Sequence, residues 1–196
     1  MQHSASDLEL NYSDPRYHLT TRKEITEQSF SGLFRVDREG WPLVPEFIMW
    51  PSRLQRLHAS ILDASDNLID GLQNTLDQPE RSLQEVLGLT GMRKLGLDLI
   101  EHVEIHHRTE DKHVLPNFLQ RFPNLRRAIS LIENDHQFLD NAMDVARIVF
   151  GALAQPAVDK SHVASALASA SSLDRLLKRH THDEENILIP ATMSGE

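Results

Sequence analysis

From residue 51 onward, apolar residues recur every three or four positions in four long stretches parted by polar or Pro-bearing breaks. That is the spacing of amphipathic helices. The first stripe is Leu54, His58, Ile61, Ser65, Leu68, Leu72 and Leu76. It begins near Pro51-Ser52, where a Pro fits the first turn. After the break at Asp77-Gln78-Pro79-Glu80, the second stripe is Met92, Leu95, Leu99, His102, His106 and Glu110, flanked by Val103. Gly88, Gly91 and Gly96 weaken its first half, so this helix starts at about Arg81 or at about Gly91 and ends near His113. PNFLQRFPN then leads to a third helix, about Asn124 to Phe150, with Leu125, Ile129, Ile132, His136, Leu139 and Met143 inward. LAQPAVDK leads to the fourth, Ser161 to about Ile189, faced by Ala166, Ala170, Leu173, Leu177, His180 and Glu184. Short loops make neighbouring helices antiparallel. The expected fold is all-α: an up-down-up-down four-helix bundle over residues 51–191, preceded by an N-terminal extension over 1–50.

The extension has no long helical stripe. Asp14-Pro15 signals a turn. Thr20 to Phe30 reads as a short helix, and FRVDREGWPLV as a short hairpin about a polar Asp-Arg-Glu-Gly turn. Trp41 to Pro51 carries two Trp, Phe47, Ile48 and Met49 among three Pro, too apolar for a free tail. It either packs on the bundle or makes a homodimer contact, since clustered aromatics favour interfaces.

The end of the second stripe and the end of the fourth are nearly the same phrase. HHRTEDKHVLP spans His106 to Pro116, and HTHDEENILIP spans His180 to Pro190. His106 aligns with His180, Glu110 with Glu184, Asp111 with Glu185 and Pro116 with Pro190. A separation of four stacks the His and Glu on one helix face, a ready pair of metal ligands. The Pro of each copy is expected to end its helix. Upstream of each copy, by about 45 residues, stands a single His on an apolar stripe, His58 and His136. The unit repeated is thus a helical hairpin. In an up-down-up-down bundle the starts of odd helices meet the ends of even ones, so all six residues fall in one layer. His136 lies deepest, about 18 Å into its helix at about 1.5 Å per residue. The third helix must therefore overhang the bundle end.

Composition narrows the chemistry. The chain has 196 residues, 40% hydrophobic, eleven His and no Cys. Without Cys there are no disulfides, thiolate zinc, iron–sulfur clusters or thiol catalysis, and His with carboxylates are the metal ligands left. A net charge of −9 speaks against nucleic acid as partner. No run of about 18 apolar residues predicts a membrane span. The first residues, MQHSASDLEL, lack the basic start and apolar stretch of a signal peptide, so the expected location is the cytoplasm.

The ordered set His, HxxxE with aliphatic-Pro, His, HxxxE with aliphatic-Pro resembles the hemerythrin-like (HHE cation-binding) family over about residues 50 to 191. The four-His, two-Glu set is similar to di-iron members implicated in repairing damaged iron centres. Oxygen-carrying members have a fifth His four residues after the His of the third helix, where this chain has Asp140. The resemblance implies iron, with manganese or zinc as alternatives.

A lone His on an apolar face is usually a hydrogen-bonded core residue. Four in one layer beside two carboxylates reverse that, because burying so many ionisable groups without a metal costs several kcal/mol per unpaired charge. The expected ligands are His58, His106, Glu110, His136, His180 and Glu184. Each of two irons would take two imidazoles, with both Glu and an oxo or hydroxo group bridging. A position stays open for a diatomic gas or peroxide. His102 reads first as a neighbour of the site, whether it or Asp140 joins the ligands stays open, and Asp111 and Glu185 are outer acceptors or surface charges. His107, His113 and His182 point off the stripes and are expected to face solvent. Three functions compete: a di-iron protein that binds or senses O2, NO or peroxide or handles iron; a ferritin-like di-iron oxidase; and a metal-stabilised interaction module using the extension. The ferritin-like reading rests on two Glu-x-x-His spacings, Glu104 with His107 and Glu133 with His136. Whether there is turnover stays open.

Overall fold

The computed structural model describes residues 10–23, 25, 37–79, 91–155 and 157–193. Among them there is no strand, and the chain is an all-α helical bundle. Four long helices carry it: α1 (Trp50–Leu76), α2 (Met92–Thr109), α4 (Arg126–Ala152) and α5 (Lys160–Met193), with a short α3 (Leu115–Arg121) between α2 and α4. No helix among the described residues is long and apolar enough to cross a membrane.

The chain condenses into two compact units. One holds residues 1–58, 107–138 and 179–196; the other holds 59–106 and 139–178. The starts of α1 and α4 thus share a unit with the ends of α2 and α5, which is the alternation that short loops impose.

The second unit has a mostly apolar core, with Ser65 donating to Asp174 inside it at 3.2 Å. Leu68, Leu72, Ile100, Val103, Leu139, Met143, Phe150 and Leu173 are buried. In α2, Gly96 has a structural use: a Cβ there would sit 2.6 Å from the Phe150 ring, so only a glycine lets that ring lie against the helix. Leu95, expected on the inner stripe, is exposed instead. The inner face runs through Met92, Gly96, Leu99, Ile100 and Val103, so Met92, Leu99 and Val103 are inward as expected and the face is turned toward Gly96 and Ile100 rather than Leu95. Gly91, at φ +62°, sets the helix start, the later of the two expected. Arg81 to Thr90 lie outside the described residues.

The first unit has a larger core. Tyr17, Trp41 and Phe47 of the extension pack with Leu54 of α1, Leu115 and Phe118 of α3, Leu125, Ile129 and Ile132, and Ile187 to Ile189 of α5. The start of α4 is therefore wrapped by the extension and by α3. In the extension Tyr17, Leu19, Trp41 and Phe47 are buried, while Leu43, Ile48 and Met49 stay exposed. The expected hairpin does not form: its described part is a 3-10 turn, Arg38–Leu43, followed by another at Pro45–Ile48. Pro42 and Pro45 remove the N–H donors a strand ladder needs. The expected helix at Thr20 to Phe30 falls mostly outside the described residues, and Thr20 to Lys23 are not helical. The Asp14-Pro15 turn is present, closed by the Tyr17 N–H donating to the Asp14 carbonyl at 2.9 Å.

Neither motif Pro ends its helix. After α2 the chain makes one π turn, Glu110–Val114, in which the Leu115 N–H donates to the Glu110 carbonyl. α3 then starts with Pro116 in its first turn, where a missing N–H costs nothing. The expected PNFLQRFPN loop is thus largely helix, completed by a 3-10 turn at Pro123–Leu125. Pro190 sits inside α5, which continues to Met193 because Ala191 and Met193 are buried in the core.

Candidate metal centre

The ends of α2 and α5 and the starts of α1 and α4 carry ten ionisable side chains of the centre, nine of them in the first unit and His106 the last residue of its segment of the second. His58, His106, Glu110, His136, His180 and Glu184 are all buried. Two donor groups form, each with one ligand atom per residue and all such atoms within 4.8 Å of one another. One is His58, His106, Glu110 and Glu184; the other is His107, His136 and His180.

The carboxylates connect the two groups. Glu184 Oε2 lies 3.2 Å from His58 Nε2 and 3.6 Å from His180 Nε2. Glu110 Oε2 lies 3.6 Å from His136 Nε2. Each carboxylate thus faces imidazoles of both groups. Burial, and then the charge of Glu184 beside it, pushes the Glu110 carboxyl well above the usual range. Burial would lower His58, but hydrogen bonds to Glu184 and Glu185 overcome it and raise His58 to about 9. Burial lowers His180.

Three imidazoles are held from behind. His58 Nδ1 donates to Glu185 Oε1 at 2.9 Å, His136 Nδ1 to Asp111 Oδ1 at 2.7 Å, and His180 Nδ1 to Asp135 Oδ2 at 3.4 Å. A carboxylate on Nδ1 fixes the tautomer and leaves Nε2 as the atom that could take a cation. Asp111 and Glu185 thus each accept from an imidazole of the centre. Glu185 also accepts from Arg38 and from Gln55 at 3.2 Å. Burial opposes its charge, yet the His58 bond and Arg38 keep its carboxyl below the ordinary range.

A further layer was not foreseen. Arg22, fully buried, donates from Nε to Asp183 Oδ2 at 2.7 Å, from Nη1 to Asp135 Oδ1 at 2.8 Å, and from Nη2 to Asp135 Oδ2. Tyr12 donates its hydroxyl to Asp135 Oδ1 at 2.6 Å. Burial disfavours the Asp135 charge, but Arg22 and His180 hold it low. The extension therefore clamps the acid that orients His180. Nothing local marks Arg22, because 113 residues separate it from Asp135. The one signal was Asp135 itself, an acid next to a motif His.

His107 corrects an expectation: it is buried, not solvated. The turned face of α2 is the reason. Ile100 and Val103 point inward, and His107 follows Val103 by four. His113 and His182 are exposed, as expected, and His102 is half-buried outside both donor groups. Asp140 is exposed. Glu133 is exposed, and Glu104 pairs with Arg147 at 2.5 Å, so neither Glu-x-x-His spacing brings a carboxylate to the donor groups.

The residues fit a metal. They are nitrogen and oxygen donors with no thiolate, and Nε2 of both His136 and His180 is buried without a hydrogen-bond partner among the described residues. Buried donors left this way are costly unless a cation takes them. Fold and site together define a helical-bundle protein with a buried histidine–carboxylate centre able to hold metal. Residues 52–192 match the hemerythrin HHE cation-binding domain, and the chain belongs to that family. No curated protein and no solved structure matches it significantly.

Proposed function

We propose that the protein is a non-haem di-iron protein whose six residues His58, His106, Glu110, His136, His180 and Glu184 hold two cations, and which binds or senses O2, NO or peroxide or handles iron. The observation that carries this is the placement of Glu184 and Glu110, each facing imidazoles of both donor groups. A carboxylate so placed suits a bridge between two cations. Six donors exceed what a closed tetrahedral zinc site uses. Bound iron would supply reversible electron transfer and a position for a small ligand.

The chain's own residues prepare that place. Asp111, Asp135 and Glu185 fix the Nδ1 side of three imidazoles and turn Nε2 inward. Glu110 and Glu184, buried beside each other, share a proton more readily than they share charge, so a divalent cation displaces protons as it binds. Burial of the whole set excludes bulk water from the donors.

Anaerobic loading with ferrous iron, then metal analysis and an optical spectrum before and after air, tests the reading. It predicts about two irons per chain and a near-ultraviolet band that appears with oxygen. Glu184→Ala should lose most of both irons. One iron or none in the folded wild type would overturn the proposal.

A further inference from the structure

We propose that the paired 3-10 turns before α1 form a self-association face, on which a second copy of this chain docks about a two-fold axis through Leu43, Ile48 and Met49. The inference stands apart from the metal reading and concerns a different surface. Leu43 is 86% exposed, Ile48 73% and Met49 70%. Scattered surface aliphatics need no explanation. Here, three of the four most exposed large apolar side chains among the described residues fall between positions 43 and 49. All three precede residues 52–192, the stretch that matches the family domain.

The face is held ready to dock. The turns Arg38–Leu43 and Pro45–Ile48 pack against each other. Trp41 and Phe47 anchor them from below in the first unit's core. Pro42, Pro45 and Pro51 each fix their own φ. Backbone groups beside the apolar residues are already paired. The Val44 N–H donates to the Trp41 carbonyl at 3.0 Å, and Ser52 Oγ donates to the Ile48 carbonyl at 2.9 Å. A partner therefore has side chains to cover rather than a strand edge to extend, and little conformational freedom is lost when it does so.

Charge selects the occupant. The turns bring acid, with Glu39 and Glu46 exposed, and the start of α1 brings base, with Arg53 and Arg56 exposed. An anionic lipid surface would meet Glu39 and Glu46 together with a chain of net charge −9. A rim of both signs is instead its own complement. A two-fold axis that sets the acid of one copy against the base of the other repeats the same pairing in reverse.

Sedimentation velocity of the full chain from about 1 to about 300 μM tests this. Wild type should pass reversibly from monomer to dimer. The triple variant Leu43→Ser, Ile48→Ser, Met49→Ser should stay monomeric, with unchanged circular dichroism and melting. Glu46→Arg or Arg53→Glu alone sets like charges face to face and should weaken the dimer by at least about tenfold. The two together should bring it back to within about threefold of wild type. Because the chain has no Cys, single Cys substitutions report the contact directly. Oxidation should cross-link Ile48→Cys or Met49→Cys faster than Ile148→Cys, a comparably exposed position in the other unit. A wild type that stays monomeric throughout, or a dimer that survives the triple substitution, would overturn the inference. So would a paired charge swap that restores nothing, or cross-linking no faster than the control. A monomer that sediments with phosphatidylglycerol vesicles would overturn it too, and would assign the face to lipid. None of these outcomes bears on the number of cations bound.

Discussion

The two copies of the repeated phrase are alike in sequence and unlike in build. The second, His180 to Pro190, lies wholly inside a regular α-helix. The first, His106 to Pro116, breaks at its Glu into a π turn. Yet both apply the same division of labour. The first acid of each pair, Glu110 or Glu184, faces the donor groups. The second reaches across to the other hairpin: Asp111 holds His136, and Glu185 holds His58. Each hairpin thus orients the lone His of its partner. A π turn inserted at a functional site is one way to re-aim a side chain without ending the helix. The copies differ most in shielding. The Asp111 side chain is 46% exposed, whereas Glu185 is 5% exposed and shared with Arg38 and Gln55.

The largest effect expected concerns the clamp on the second copy. Arg22→Ala removes the guanidinium from buried Asp135 and leaves Asp183 only Arg179, at 3.3 Å, and should cost about 3–5 kcal/mol of folding stability. Denaturant unfolding of the metal-free protein measures it. A loss under about 1 kcal/mol would show that water replaces the guanidinium, and the clamp would not be structural.

Next comes the contrast between the outer acids. Glu185→Ala should weaken metal binding about 10–100-fold, as loss of a buried carboxylate behind a ligand His does. Asp111→Ala should cost less than about tenfold, because solvent can replace a half-exposed acceptor. Competition with a chelator of known affinity gives both values. Equal losses would mean that shielding does not distinguish the copies.

The smallest effect is a pH slope tied to the second copy. In the cation-free protein His58 sits at about 9, held by Glu184 and Glu185. Below that pH a cation must displace the proton, so apparent affinity should rise with pH toward about 9 and flatten above it. The slope for this one proton is at most about tenfold per pH unit. In Glu185→Ala the flattening should begin at lower pH. Metal titrations from pH 6 to about 9.5 would detect it, and an unchanged breakpoint in that variant would exclude His58 as the titrating group.

Much of the centre was legible along the chain because its residues repeat at helical spacing. His58, His136, His180 and Glu184 each continue an apolar stripe, so their inward position follows from the neighbours at three and four residues. His106 and Glu110 continue the α2 stripe through Met92 and Leu99, all four of them buried, whereas Leu95 and His102 of that stripe are not. Leu95 and His102 were placed inward, and His107 outward. One residue is about 100° of rotation. Near Gly96 several phases satisfy the local pattern. Packing of Phe150 against the bare glycine selects one of them.

Helical periodicity and two near-identical phrases by themselves determined an all-α bundle and six candidate ligands. Both depend on contacts within about one turn of helix, which a sequence records directly. Only the tertiary structure decided the rotation of α2 that buries His107, the exchange of orienting acids between hairpins, and the reach of Arg22 to Asp135. Those join residues far apart in the chain, and their partners are chosen by which helix faces pack together. No local spacing encodes that choice.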